Sequence, residues 1–233
     1  MKRLRTHAGD LDRILGGGIP AGAVVLFAGA PGTMKTSLAY SILYENAVRG
    51  TKGLYVSLEQ SRASLVDHTE GLGFDPAKQG SALSILDLAA LRKKMGDDGS
   101  WGDMFKMYTQ SVRVGFPYEA LVLDSLDALE VLAGFRDHRR EVLGLFQWLR
   151  GLACTSLVIG ELPSSRKGDV PPAYGRHRED YLADGIVHLS LEPRGDFEVR
   201  RRIRVVKMRG ARHDTGYHAL VFERGFRVTD LIA

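Results

Sequence analysis

An α/β fold with a mainly parallel central sheet is predicted by three observations. A continuous apolar run, Ala23 to Ala28, ends in a Gly/Pro turn. Further apolar runs of strand length alternate with helix-length stretches, and after Asp184 the pattern switches to strands joined by short links. Composition agrees. With 233 residues, 44% hydrophobic and 26% charged, the chain has the make-up of a globular protein and length enough for its own core. It reads as one domain over residues 1–233, since no linker, repeat or low-complexity tract divides it.

The elements follow in order. Ala23–Ala28 has no polar side chain, as expected of a strand buried on both faces. From Thr36 to Arg49, Leu38, Ile42 and Leu43 form a helical stripe, and Gly50 is its stop. Gly53 to Glu59 is the second strand, with Glu59 at its end, and Leu83 to Leu86 the third. Ala120 to Asp124 and Thr155 to Gly160 are two more; between them Val142, Leu145, Phe146, Leu149 and Leu152 recur at helical spacing. The tail, ending near Phe226–Val228, reads as an antiparallel extension of the sheet.

Charge and cysteine usage bound the setting. A net charge of +4 suits an anionic ligand without demanding one. Cys154, the single cysteine, rules out an internal disulfide and a Cys-rich zinc site, and points to a reducing, cytoplasmic compartment. The uncharged stretch from Ile14 to Met34 after a basic start resembles an export signal. Its many Gly and Pro residues exclude a spanning helix, because freed backbone groups lack partners in lipid.

Gly29-Ala30-Pro31-Gly32-Thr33-Met34-Lys35-Thr36, followed by Ser37, matches the phosphate-loop pattern G-x-x-x-x-G-K-S/T except that Met34 replaces its second glycine. Such a loop turns backbone N–H groups toward a phosphate. Its lysine reaches the β/γ oxygens, its hydroxyl ligates Mg²⁺, and the next helix aims its positive end at the anion. Asp124, closing an apolar strand, is the matching Mg²⁺-directing carboxylate, with Ser125 beside it. Thr36 and Asp124 are thus the expected metal ligands. Glu59 is placed to activate the attacking water and Glu161 to sense nucleotide, both at the carboxyl edge where open α/β sheets bind ligands.

The opening Leu11-Asp12-Arg13-Ile14-Leu15-Gly16-Gly17-Gly18-Ile19-Pro20-Ala21-Gly22, followed by the phosphate loop, resembles the RecA/RadA/KaiC superfamily of ATPases. Leu54-Tyr55-Val56-Ser57-Leu58-Glu59-Gln60 is similar to the KaiC strand that ends in a catalytic Glu pair. Ser84–Asp87, Asp124-Ser125, Tyr181–Gly185 and Lys207-Met208-Arg209-Gly210-Ala211-Arg212-His213 also sit where KaiC-like proteins carry similar stretches, and the last is the most specific. The resemblance implies a RecA-type fold that binds ATP (and ADP) with Mg²⁺ between subunits, usually in a homo-hexamer. It implies that Lys207 and Arg209 reach the γ-phosphate held by the adjacent subunit, with His213 a further sensor. The Glu pair falls on Glu59 and Gln60, so slow hydrolysis is expected. The phosphoacceptor pair falls on Asp180 and Tyr181, so Ser/Thr autophosphorylation is not.

Two rival functions remain. Between Arg194 and Arg212, Arg194, Arg200, Arg201, Arg202, Arg204, Lys207, Arg209 and Arg212 face only Asp196 and Glu198, and the 164–178 loop adds Arg166, Lys167, Arg176 and Arg178. These suit single-stranded DNA, but the loop offers only Tyr174 for base stacking. A solvated strand face plus an interface finger is the favoured reading, so nucleic acid is not the expected partner; a protein partner is possible. The other rival is a nucleotide-gated scaffold, with Met34 and Gln60 marking reduced turnover.

Overall fold

The computed structural model describes residues 2–95, 101–162, 174, 179–195 and 197–230. Two short strands, β1 (Arg3–Leu4) and β2 (Ile19–Pro20), pair antiparallel around α1 (Leu11–Ile14). The chain then runs β3 (Val24–Gly29), α2 (Lys35–Val48), β4 (Gly53–Ser57), α3 (Arg62–Gly71), α4 (Pro76–Gln79), β5 (Leu83–Asp87), α5 (Leu88–Met95), α6 (Trp101–Gly115) and β6 (Ala120–Asp124). It continues through α7 (Leu126–Ala133), α8 (His138–Gly151), β7 (Thr155–Glu161), β8 (Gly185–Arg194), β9 (Glu198–Met208), β10 (Tyr217–Phe222) and β11 (Phe226–Thr229).

Nine strands form one sheet in the order β11-β10-β9-β8-β3-β7-β6-β4-β5. From β5 to β8 neighbours are parallel; β8 to β11 are antiparallel, as the tail pattern predicts. Alternation along β3 builds two cores. Val25 and Phe27 join α2 and the Tyr40–Tyr44–Phe74 aromatic cluster on one face. Val24, Leu26 and Ala28 join Phe105 of α6, Leu129 of α7 and Phe146 of α8 on the other. The β3 run is wholly apolar because both faces are covered. Among the described residues no helix is long and apolar enough to cross a membrane.

Two of the bounds that differ from the sequence reading bear on the site. β4 stops at Ser57, so Glu59 lies beyond the strand, in a turn where the Ser57 hydroxyl donates to the Gln60 carbonyl at 2.6 Å. β7 extends one residue further and includes Glu161.

The polarity of the sheet positions everything that follows. β3, β4, β6 and β7 all end at one edge, at Gly29, Ser57, Asp124 and Glu161. The β8–β9 hairpin runs on past that edge, because Gly29 is level with Leu189 while β8 continues to Arg194.

Candidate functional site

The loop after β3 is shaped by its own side chains. Gly29 tolerates no Cβ, which would fall 2.4 Å from the Leu189 carbonyl oxygen and 2.9 Å from Thr33 Oγ1. Thr33 donates its hydroxyl to the Ala30 carbonyl at 2.7 Å. Lys35 bends back so that Nζ donates to the Gly29 and Ala30 carbonyls at 2.8 and 3.1 Å. Pro31 and Gly32 are exposed, and Met34, half-buried, stands at the head of α2 with φ 69° and ψ 32°. That left-handed conformation is the one the usual glycine supplies without strain. Among the described residues no side chain caps the amino end of α2, and its first turn holds no acid. Its leading N–H groups and positive dipole end are thus left for an anion.

Carboxylates surround the lysine. Burial lowers the Lys35 pKa, opposed first by Glu161 and then by Asp124, Asp127 and Glu59. Asp124 is buried at the end of β6, and that burial raises its pKa despite hydrogen bonds from Tyr55 and Thr36. The Tyr55 hydroxyl donates to Asp124 Oδ2 at 2.5 Å, and Thr36 Oγ1 donates to the same oxygen at 3.1 Å. A hydroxyl and a carboxylate oxygen this close are a hard-oxygen pair of the kind Mg²⁺ takes when phosphate and water complete its shell. The residues present therefore fit an Mg²⁺–nucleotide complex.

Glu59 is brought in by its neighbour across the strand ends. Ser125 Oγ accepts from the Ala128 N–H at 3.2 Å, capping α7, and donates its own proton to Glu59 Oε1. Thus Lys35, Thr36, Glu59, Asp124, Ser125 and Glu161 converge. Ser37, one residue further along α2, is hydrogen-bonded to His68 Nε2 at 3.2 Å. A cavity of about 370 Å³ lined by Arg3, Asn46, Arg113 and Thr155 lies at the opposite edge and shares none of these groups.

Two residues at the site had no assigned role. Asp127 accepts from the Glu161 N–H at 2.7 Å, tying α7 to the end of β7; its signal is its place three residues after Asp124, in the first turn of α7. Arg201 Nε donates to the Gly32 carbonyl at 3.2 Å, because the overhanging hairpin brings β9 against the phosphate loop.

Lys207, Arg209 and His213 lie elsewhere. Gly185 is level with Val25 and pairs with Met208, which puts the end of β9 at the amino edge of the sheet. Lys207 Nζ donates to the carbonyls of Asp180 and Ala183 at 2.9 and 2.7 Å, and burial lowers its pKa, helped by Arg209. Exposed Arg209 donates to Asp184 Oδ1 at 3.2 Å. From Gly185 to Leu189, the level of Gly29, the rise is about 13 Å at roughly 3.3 Å per residue. Neither cation reaches the phosphate loop of its own chain.

Most of the basic tract is engaged within the molecule. Arg202 pairs with Glu192 at 3.1 Å and stacks 4.4 Å from the Tyr217 ring centroid. Arg204 donates to the Thr215 carbonyl at 2.7 Å. Arg166, Lys167, Arg176, Arg178 and Asp196 lie outside the described residues. Tyr174 is buried, 5.1 Å edge-on to His188, and is not an open stacking platform.

A family model described as the KaiC ATPase matches residues 4–229. The chain belongs to the KaiC ATPase family. Its likeness extends over whole chains. A UPF0273 protein of Thermotoga maritima is 29% identical over 99% of this chain and 94% of its own. Another, from Pyrobaculum aerophilum, is 28% identical over 96% of this chain and 80% of its own. The crystal structure of a KaiC-like protein from Pyrococcus horikoshii superposes with a TM-score of 0.80 at 25% identity, covering 97% of this chain and 98% of that one. Family and fold support a nucleotide-binding, ATPase-type function and a KaiC-like arrangement of the sheet.

Proposed function

We propose that the chain is an Mg²⁺-dependent ATPase of the cytoplasm, one domain over residues 1–233, whose sites are completed by a neighbouring subunit and whose nucleotide state controls assembly or a protein partner. The observation that carries this is the convergence at one sheet edge of Lys35, the 3.1 Å Thr36–Asp124 oxygen pair, and Glu59 held by Ser125. Gly29 to Ser37 cradle the phosphates, and Lys35 exchanges its two loop carbonyls for β/γ oxygens. Thr36 and Asp124 would hold Mg²⁺, which when bound screens the phosphate charge. Glu59 orients and deprotonates the attacking water, with Ser125 fixing its carboxylate. Glu161, across from Lys35, reads nucleotide state.

Lys207 and Arg209 act on the phosphate of the adjacent subunit, with His213 on the same loop. The separation of the two sheet edges supports this, since the exposed Arg209 has no route to its own site. Head-to-tail contacts generate either a closed ring or an open filament, and the KaiC resemblance favours a ring of six. The amide at Gln60, in place of a second acid, favours slow turnover. The in-chain partners of Arg201, Arg202 and Arg204 weigh against the DNA-dependent reading.

The test is native mass with and without ATP and Mg²⁺, alongside a phosphate-release assay. Ligand-dependent assembly together with release supports the proposal. A monomer under all conditions, or lasting ATP occupancy with no release, overturns it, the latter in favour of a scaffold.

A further inference from the structure

The two most distinctive segments of this sequence, nearly 200 residues apart, touch. The glycine turn after α1 underlies the loop that follows β9. A Cβ on Gly16, which has φ +67°, would fall 2.1 Å from the Arg212 carbonyl oxygen and 3.2 Å from its carbon. Two residues on, the Asp214 N–H donates to the Ile14 carbonyl at 2.9 Å. The turn is itself fixed by Asp12: its carbonyl accepts from the Gly17 and Gly18 N–H groups at 2.7 and 3.1 Å, and its buried carboxylate accepts from the Thr6 N–H at 2.7 Å. At its other end the loop is held by the Arg209 N–H, which donates to the Asp184 carbonyl at 2.8 Å. The segment from Arg209 to Asp214 is therefore slung between Asp184 and the glycine turn. Ala211 between them packs against the core cluster that holds Leu11 and Ile14.

We infer that Gly16 is a positioning residue for the trans-acting segment: its missing Cβ lets the Arg212 backbone seat on the α1 turn, and this seat sets where Arg209 and His213 meet the neighbouring subunit. The inference rests on the shared-site reading above. A methyl group at Gly16 collides with backbone and not with the yielding end of a side chain, so the loop must move outward. Displacement of a catalytic contact by about 1 Å costs on the order of a hundredfold in rate. The phosphate loop of the same chain lies at the other edge of the sheet and is untouched. Gly17 supplies the control. It also has positive φ, +112°, but among the described residues a Cβ there meets only the Arg3 side chain, at 3.5 Å. Gly17→Ala thus strains the same turn without pushing the loop.

The experiment uses the full chain and mixed oligomers. Gly16→Ala should bind ATP at its own loop with unchanged affinity while kcat falls on the order of a hundredfold. Gly17→Ala should keep most of its turnover at some cost in thermal stability. Mixed in equal amounts with Lys35→Ala, whose segment is intact, Gly16→Ala should regain activity at about one quarter of the sites by random assembly. Mixed with Arg209→Ala it should regain none. Should Gly16→Ala not fold, Asp214→Pro, which deletes the N–H donated to Ile14, takes its place in the same mixtures. Full activity in Gly16→Ala, equal loss in Gly17→Ala, or no rescue by Lys35→Ala overturns the inference, provided that Arg209→Ala and Lys35→Ala rescue each other. If that reference pair fails to complement with exchange verified by mass, the shared-site reading itself falls, and this inference with it.

Discussion

Replacing Met34 separates backbone strain from packing in the phosphate loop. Its φ of 69° and ψ of 32° are left-handed, which costs a residue with a Cβ about 1 kcal/mol. Its side chain is half-buried against the core beside α2, and burial of about half a methionine contributes around 1 kcal/mol. Met34→Ala loses the packing and keeps the strain, so it should fall about 1 kcal/mol below the natural protein. Met34→Gly loses the same packing and sheds the strain, at the expense of unfolded-chain entropy. At a positive-φ position glycine still comes out ahead of alanine, by about 1 kcal/mol. For a chain of this length that is roughly 2–4 °C in melting temperature, read by thermal unfolding without nucleotide. Met34→Gly should therefore melt close to the natural protein and above Met34→Ala, with ATP affinity equal or tighter in titration. If Met34→Ala melts as high as Met34→Gly, the left-handed strain is absent. Loss of ATP binding in Met34→Gly would show that the Met34 side chain shapes the loop.

Lys35→Ala should abolish ATP binding, measured by titration calorimetry, because the phosphates lose their cation. Glu59→Gln should bind ATP normally but turn over at least about a hundredfold more slowly; normal phosphate release in this variant would reduce Glu59 to a turn carboxylate. Tyr55→Phe removes a buried donor to Asp124 and should cost about 1–3 kcal/mol in urea unfolding. Asp184 offers a pH test. Burial pulls its pKa up, but hydrogen bonds from Arg150, the Val24 N–H and Arg209 outweigh this and leave it below the ordinary value. A carboxyl with a lowered folded-state pKa stabilises above its unfolded pKa, near 4, and loses that contribution as pH falls through the folded value. Asp184→Asn should thus unfold at lower urea than the natural protein at pH 7, with the gap closing below about pH 4; a gap independent of pH would show that charge is not what Asp184 contributes.

The parallel strands and the phosphate loop were legible because they are local signals. A strand covered on both faces has to be apolar throughout, and a loop built from backbone needs Gly and Pro at set places. Helices α3, α5, α6 and α7 were not drawn from the sequence. Trp101, Phe105 and Thr109 do mark one buried face of α6, but Gly102 interrupts the pattern. The seat of Arg212 on Gly16 and the bond from Arg201 to Gly32 depend on the register of β8 with β9 and on strand lengths. Both motifs are visible in the sequence, and their contact is not. The strand reading carried Glu59 as the last residue of β4, whereas the strand ends at Ser57 and Glu59 follows in the turn that the Ser57 hydroxyl closes onto the Gln60 carbonyl.

The placing of Gly29 and Met208 at opposite edges of one sheet has a genetic consequence under the shared-site reading. A defect at Arg209 leaves the subunit that carries it competent and silences the one beside it. Such a chain, made in a cell together with the natural one, enters the same assemblies and spoils sites that are themselves faultless. Lesions at the two edges should therefore be inherited as interfering traits, outweighing the share of altered protein wherever the sites fire in concert, while a change that prevents folding altogether removes only its own chain and stays recessive.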